Sequence, residues 1–337
     1  MKVGRIKFLS EKIYSKNYGE SAFHIDTAAR LCKSDLLSET VTEFPELQGI
    51  MGGHFAEAQG FEKEVCQSIS EHYLPSGLES KVPKNLYSIT LSLSDKLDTL
   101  VGFFGLGLIP TGSRDPFALR RNTIALVRLI VENKISIKLR SIINYSLTLY
   151  KDQGYEFDIT NVLKELNNFI LERLKNYSRE KNIRLDIIES SILSNDIDDL
   201  YNGYNKAEVL NKNIKNEFGQ DVVGIYKRSF NILNNEIFKN KIELNNSVDT
   251  GLFKNDFEKN LYKKLQELKK YFVNDRKNDD FEESLKELFK LKQDVNSFFD
   301  NVKVNDENDL IKKNRLELLN LLCKNFDNFF NFSKIES

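Results

Sequence analysis

An all-α fold is predicted for this 337-residue sequence, and three observations support it. The chain has only 5 Pro and 16 Gly, which suits long helices better than a turn-rich β protein. No segment shows the alternation of apolar and polar residues that is typical of strands. Long segments instead repeat apolar residues at helical spacing, with 24 Phe and 13 Tyr to fill a core that has no Trp.

Composition and charge exclude several classes of protein. The chain is 40% hydrophobic and 29% charged, which is typical of a globular protein. Its three cysteines are far apart and form no CxxC pair, so neither a disulfide framework nor a zinc site is indicated. No apolar run of about 18 residues occurs, so we expect no membrane span and a cytoplasmic location. The net charge of −1 means that any nucleic-acid site must be a local patch.

The first segments predict short helices joined by loops. Residues 61–73 form a helical pattern that ends before Pro75, and residues 89–101 form a second, more apolar one. The glycine cluster at 102–107 lacks the GK[ST] ending of a phosphate loop. We therefore interpret it as a tight turn between packed helices.

A basic stretch follows at residues 113–140, with seven Lys or Arg against two acids. Asp115 and Pro116 predict a helix start, with Asp as the N-cap and Pro at the first helical position, and the helix should run to about Glu132. Arg121 and Arg128 fall on one face, ~10.5 Å apart along the axis. They could contact an RNA backbone, or Arg128 could simply pair with Glu132 at i,i+4. The residues alone leave both interpretations open.

From about residue 151 the sequence changes to Lys/Glu/Asn-rich amphipathic helices. This change and a break near 215 predict three domains, at residues 1–150, 151–215 and 216–337. Lys227 and Arg228 lie opposite an apolar stripe and should be exposed; the stripe contains Val222, Tyr226, Ser229 and Leu233.

The last helix contains an arginine inside its apolar stripe. The stripe consists of Ile311, Leu318, Leu322, Phe326 and Phe329, and helical geometry places Arg315 within it. A guanidinium there must reach solvent or find an acid. Asp300 is the candidate partner, because it lies in a nearby apolar segment.

Two segments resemble HD-domain phosphohydrolases. Residues 28–36 resemble the helix that carries the His-Asp pair, and residues 94–98 resemble the helix with the closing Asp. Cys32 and Lys33 stand where the His-Asp pair would hold a divalent metal. A degenerate, non-catalytic HD-like domain is therefore predicted, in which Asp95 and Asp98 pair with local cations or cap helices. A surviving metal-dependent phosphohydrolase is the alternative, and a non-catalytic helical scaffold is another.

Several segments together resemble the β subunit of bacterial two-subunit glycyl-tRNA synthetases. The longest begins at Ser94-Asp95-Lys96-Leu97-Asp98 and continues through Pro110-Thr111-Gly112-Ser113-Arg114-Asp115-Pro116 to Arg120-Arg121. The shorter ones are Phe44-Pro45-Glu46-Leu47-Gln48-Gly49-Ile50-Met51-Gly52, Glu71-His72-Tyr73-Leu74-Pro75, Tyr226-Lys227-Arg228, Phe298-Phe299-Asp300-Asn301-Val302, Asn314-Arg315-Leu316 and Phe332-Ser333-Lys334-Ile335. They occur in the family's order along nearly the whole chain.

The resemblance implies an HD-like domain, a helical body and a DALR-like anticodon-binding domain. It also implies an α2β2 glycine–tRNA ligase in which this chain holds tRNA(Gly). The α subunit would bind ATP, with Mg²⁺, and glycine, so this chain should have no cofactor, metal or catalytic residue of its own. Members of the family are longer, and we expect the β subunit's N-terminal half to be missing here.

The candidate tRNA-binding residues lie in two groups. They are Arg114, Arg120, Arg121 and Arg128 in the basic stretch, and Lys227, Arg228, Asn231 and Arg315 in the segments that resemble the anticodon-binding domain. A structural role competes with RNA binding at Arg315, because the residue lies inside the apolar stripe.

Overall fold

A computed structural model describes residues 1–19, 23–112, 114–192, 198, 200–274 and 280–336. In these ranges the regular elements are α-helices and short 3₁₀ turns, without a strand, which confirms the predicted all-α class. None of the described helices combines the length and the apolar character that crossing a membrane requires.

The chain forms two compact units. Unit 1 consists of Met1–Tyr177 and Asp196–Tyr201, and unit 2 of Ser178–Asn195 and Asn202–Ser337. The predicted segment 151–215 contributes to both units. Because compact units need not coincide with domains, the three predicted domain boundaries stay a prediction.

Unit 1 is built around one central helix. Its helices are α1 (Lys2–Tyr18), α2 (Phe23–Leu31), α3 (Glu39–Glu43), α4 (Ile50–Ala58), α5 (Lys63–Glu71), α6 (Leu86–Gly105), α7 (Leu119–Glu132) and α8 (Leu139–Lys151), and α9 (Ile159–Glu180) begins there. Helix α6 packs against α1, α2, α5, α7 and α8. Every residue from Ser88 to Asp98 is buried, as expected for a helix that is surrounded on all sides.

Side chains and glycine define the ends of α6. Asn85 caps its start, because the side-chain oxygen accepts the backbone N–H groups of Tyr87 and Ser88. A Schellman motif ends it: Gly107 has a φ of 71° and donates to Phe104, while the Leu108 N–H donates to Phe103. The predicted glycine turn is thus confirmed at Gly107, although the helix itself continues to Gly105.

The predicted start of α7 is wrong by several residues. Asp115 does cap the helix, since its carboxylate accepts the N–H groups of Leu119 at 2.7 Å and Arg120 at 2.9 Å. The helix nevertheless begins at Leu119, after Ala118 in the left-handed region with a φ of 54°. Pro116 therefore lies in the preceding turn and not at the first helical position. The predicted end at Glu132 is confirmed.

Unit 2 is centred on two long helices. Its helices are α10 (Leu185–Ser191), α11 (Leu200–Asn213, which begins at the unit boundary), α12 (Glu217–Asn240), α13 (Asp256–Asn274), α14 (Phe281–Phe289), α15 (Lys292–Asn301) and α16 (Asp309–Asp327). Helix α12 packs against α14, α15 and α16, and α16 also contacts α13. The Tyr226 ring lies 5.9 Å from Phe326 and 5.5 Å from Phe332, centroid to centroid, in the core.

The two predicted apolar stripes of unit 2 are largely confirmed. The stripe of α12 is fully buried, as are Ile311, Leu318, Leu322 and Phe326 of α16. Phe329 is the exception, because α16 ends at Asp327 and the residue is only half-buried. Phe330 enters the core instead.

Candidate functional site

The HD-like segments meet at the Lys33 ammonium. Its Nζ lies 2.6 Å from Oδ2 of Asp95 and 2.9 Å from Nε2 of His72. It also lies 3.8 Å from the centroid of the Tyr73 ring, which is a cation–π contact. One ammonium is therefore held by a carboxylate, an imidazole and an aromatic face, and we call these three groups the Lys33 cage.

The electrostatics of the Lys33 cage follow from burial and from its charges. Burial alone would raise the pKa of Asp95, but the ammonium groups of Lys33 and Lys2 overcome it and hold that pKa well below its usual range. Burial and the neighbouring Lys33 lower the pKa of His72 to about 3. The cage thus contains an ionised carboxylate and a neutral imidazole at pH 7.

Asp98, the second acid of this segment, pairs with Arg5 on α1. The Arg5 guanidinium donates to Asp98 at 2.7 and 3.1 Å and also to the Tyr150 hydroxyl at 3.1 Å. Both acids therefore pair with local cations, as predicted. These pairs fasten α6 to its neighbours.

The Lys33 cage does not fit a divalent metal. His72 and Asp95 are suitable ligands in type, but a positive side chain already lies between them. Among the described residues, no group of three His, Cys, Asp or Glu side chains is arranged to hold a metal ion. This arrangement gives no support to the phosphohydrolase alternative.

The basic stretch places its arginines in three different environments. Arg114 and Arg121 are exposed, and among the described residues neither side chain forms a hydrogen bond or ion pair. Arg120 is half-buried, and its guanidinium donates to the backbone carbonyls of Gly112 at 2.5 Å and Arg114 at 3.2 Å. Arg120 thus fastens the loop that presents Arg114; Ser113 of the same motif lies outside the described residues.

Arg128 is an internal residue. It is 7% exposed, pairs with Glu132 at 2.7 Å and donates to the carbonyl of Gly77. The i,i+4 pair considered from the sequence is therefore present. This environment favours a structural role over contact with RNA, because the guanidinium is buried and its Nε and Nη1 already donate to groups of this chain.

Lys227 and Arg228 on α12 line two neighbouring clefts of unit 2. Lys227 is half-buried beside a cleft of about 540 Å³ that also contacts Arg184 and Lys215. Arg228 is exposed beside the second cleft, and its guanidinium carbon lies 4.2 Å from the centroid of Phe299. Asn231 is exposed one turn further on, on the same face as Arg228.

Arg228 and Phe299 form a wall of the second cleft, which has a volume of about 210 Å³. Lys292 and Asn296 also line it, and Lys292 pairs with Asp221. A flat guanidinium on an aromatic ring, beside amide groups, can accept an unstacked base. Sequence reasoning did not single out Phe299 as a site residue. It lies 71 positions beyond Arg228, and its signal was its place in the segment at residues 298–302 that resembles the family.

Arg315 is buried, and its predicted partner is wrong. Its Nε lies 2.7 Å from Oε1 of Glu258, and its Nη1 lies 2.7 Å from Oδ2 of Asp306 and 2.8 Å from the carbonyl of Lys303. Asp300 is not among its partners, because it lies exposed near the end of α15. The 6% exposure of Arg315 favours the structural interpretation over contact with RNA.

Glu258 has a second role at the start of α13. Its Oε2 accepts the N–H of Asn255 at 3.1 Å, while the Asn255 side chain accepts the N–H of Glu258 at 3.1 Å. This reciprocal pair is a capping box. One carboxylate therefore caps α13 through one oxygen and binds Arg315 through the other.

Comparisons with known proteins find a family match in each half of the chain. Residues 1–193 match a family model described as "Glycyl-tRNA synthetase beta subunit", and residues 224–336 match one described as "DALR anticodon binding domain".

Curated relatives agree with the family models. The chain is 37% identical over 308 residues to the "Glycine--tRNA ligase beta subunit" of Rickettsia canadensis, which covers 91% of this chain and 44% of the relative. It is 35% identical over 311 residues to the Syntrophomonas wolfei protein of that name, covering 92% and 44%. It is also 37% identical over 317 residues to the protein of that name from Sulfurihydrogenibium sp., and this match covers 94% of this chain and 43% of the relative. The chain spans less than half the length of these relatives.

Proposed function

The chain belongs to the family of glycyl-tRNA synthetase β subunits, and we propose from this premise that it holds tRNA(Gly) for ATP-dependent glycylation by a partner α subunit. The observation that carries the proposal is the anticodon-binding match over residues 224–336, where Arg228 and Asn231 are exposed on one face of α12. Positioning a substrate for a site on another chain is a recognised contribution to catalysis.

The proposed contacts divide into phosphate and base contacts. Arg114 and Arg121 would neutralise backbone phosphates, since both are exposed and form no ion pair within the described chain. Arg228 on the Phe299 ring would stack on an unpaired base, and Asn231 would donate to or accept from such a base. Phosphate contacts supply affinity, and base contacts supply the preference for one tRNA.

The chemistry of the reaction belongs to the proposed partner. An α subunit would bind ATP, Mg²⁺ and glycine, and this chain would supply no cofactor site and no catalytic residue. The proposed setting is the cytoplasm, where tRNA is charged.

Binding of tRNA(Gly) and of a non-cognate tRNA across a salt series tests the proposal. We expect tighter binding of tRNA(Gly), with log Kd rising linearly with log salt concentration. The double variant Arg114→Gln with Arg121→Gln should weaken the binding of both tRNAs to a similar degree. It should also reduce the slope of log Kd against log salt concentration by about 2, because each phosphate contact contributes about 1.

Variants of the Arg228 wall separate base contact from phosphate contact. Arg228→Gln and Phe299→Leu should each weaken the binding of tRNA(Gly) by about 5- to 150-fold, which is the range for one stacked base. Both should also reduce the preference for tRNA(Gly) over the non-cognate tRNA. Arg30→Gln is the matched control, an exposed helical arginine that pairs with Asp26 at i,i+4. If no variant changes binding more than Arg30→Gln does, or neither tRNA binds, the proposed contacts are wrong.

A further inference from the structure

We propose that other residues of unit 1 form a cation-binding site and that the Lys33 ammonium occupies this site in place of a free cation. The disagreement between the Lys33 cage and a metal centre is the starting observation: two side chains with metal-ligand chemistry converge on a lysine. This inference concerns the HD-like part of the chain and does not depend on tRNA binding.

The hydrogen bonds of His72 determine which atom faces the cation. Its Nδ1 lies 2.6 Å from the carbonyl oxygen of Ile69. A carbonyl only accepts, so Nδ1 carries the proton and Nε2 presents a lone pair. That lone pair lies 2.9 Å from the Lys33 Nζ. A metal-bound histidine has the same arrangement: one ring N–H donates to a backbone carbonyl, and the lone pair of the other ring nitrogen faces the cation.

The other walls are also held by groups apart from Lys33. Asp95 is on the surrounded helix α6, and its second oxygen lies 3.0 Å from the Lys2 Nζ. The Tyr73 hydroxyl binds the Gln48 amide, which fixes the ring whose face lies under the ammonium. Hydrogen bonds therefore hold the imidazole and the ring, and the burial of α6 and the Lys2 ion pair hold the carboxylate; none of these involves Lys33.

Removal of the ammonium should leave a preformed site with a preference for cations. Lys33→Ala vacates the volume of a lysine side chain beside an ionised carboxylate, while Lys2 and Lys96 remain as cations near Asp95. A primary alkylammonium reproduces the missing group, while Zn²⁺ can use the imidazole and carboxylate as ligands. Neither should bind there in the wild-type chain, because the site is filled.

Thermal unfolding with and without added cations tests this proposal. We expect propylammonium and Zn²⁺ each to raise the Tm of Lys33→Ala saturably, by about 5–10 °C at a concentration a hundredfold above Kd. Wild type should not respond to propylammonium, and its response to Zn²⁺ measures binding elsewhere on the chain. Lys286→Ala, which loses an exposed lysine on α14, is the matched control and should respond as wild type does.

Two further variants locate the effect. Lys33→Met fills the volume with an uncharged side chain and should abolish the response to propylammonium, as should Asp95→Asn in the Lys33→Ala background. If Lys33→Ala does not fold alone, refolding in propylammonium should recover helical circular dichroism. The proposal is overturned if both cations stabilise Lys33→Ala no more than Lys286→Ala, or if the unfolded variant is not recovered.

Discussion

Arg315→Met is the substitution that most directly tests the buried ion pair of unit 2. Methionine keeps an apolar stem in the α16 stripe but removes the charge that faces Glu258, which is 0% exposed, and Asp306. Removing one member of a buried pair costs about 3–5 kcal/mol, because the other charge is left buried without a partner. For a unit of this size the loss corresponds to a Tm lower by about 6–20 °C.

Hydrogen exchange measures this loss where it occurs. The most protected amides of α13 and α16 should exchange about 150-fold faster or more, since each 1.36 kcal/mol is a factor of ten. Lys259→Met is the control on α13, because its pair with Asp256 is exposed and should contribute less than about 1 kcal/mol. Adding Glu258→Gln to Arg315→Met should recover part of the loss, since it removes the uncompensated charge and retains an oxygen for the capping box.

The outcomes separate the two interpretations of Arg315. The argument from burial would be refuted if the exchange rates of Arg315→Met gave a free energy of unfolding within about 0.5 kcal/mol of wild type. If that result came with weaker tRNA binding, Arg315 would be an RNA contact after all. Equal stability and equal tRNA affinity would contradict both interpretations.

Other predictions concern unit 1. Gly102→Ala should destabilise it by about 1–3 kcal/mol in urea titrations, because the added methyl would lie 2.1 Å from the Tyr150 hydroxyl oxygen. Gly4→Ala on α1 meets nothing within 4 Å and should instead stabilise it by about 0.5–1 kcal/mol; a loss there would contradict the packing. His72 binds a proton more readily when unfolded, since its folded pKa is lowered to about 3 by burial and Lys33. Its contribution to stability is therefore present above pH 6.5 and is lost as pH falls toward 3, so His72→Gln should show a shallower decline, and parallel curves would refute the assignment.

The sequence predicted features that depend on residues near one another in the chain. Helical periodicity correctly assigned the buried stripe of α12 and most of the α16 stripe, because burial repeats every three or four residues. The Arg128–Glu132 pair is one turn long and was considered for that reason. The start of α7 was missed even though Asp115 is the cap, because the carboxylate reaches over an intervening turn.

Features that depend on distant residues were not predictable. Arg315 binds Glu258, 57 positions earlier, and no pattern within a single helix identifies such a partner. The same limit applies to Phe299 under Arg228. For Lys33 the sequence showed that the His-Asp pair was replaced. It could not show that His72 and Asp95 would surround the replacement, because three separate elements supply the groups.

The loop before α7 is attached to its own helix at both ends. Asp115 accepts two N–H groups of the first turn, and the Arg120 guanidinium returns to the carbonyls of Gly112 and Arg114. Hydrogen bonds within the chain thus hold the backbone carbonyl of Arg114. Binding of a partner would then not include the entropic cost of ordering that backbone, which is about 1–2 kcal/mol for each residue that is otherwise free. Disrupting Asp115 should therefore weaken binding through Arg114 without removing a single positive charge.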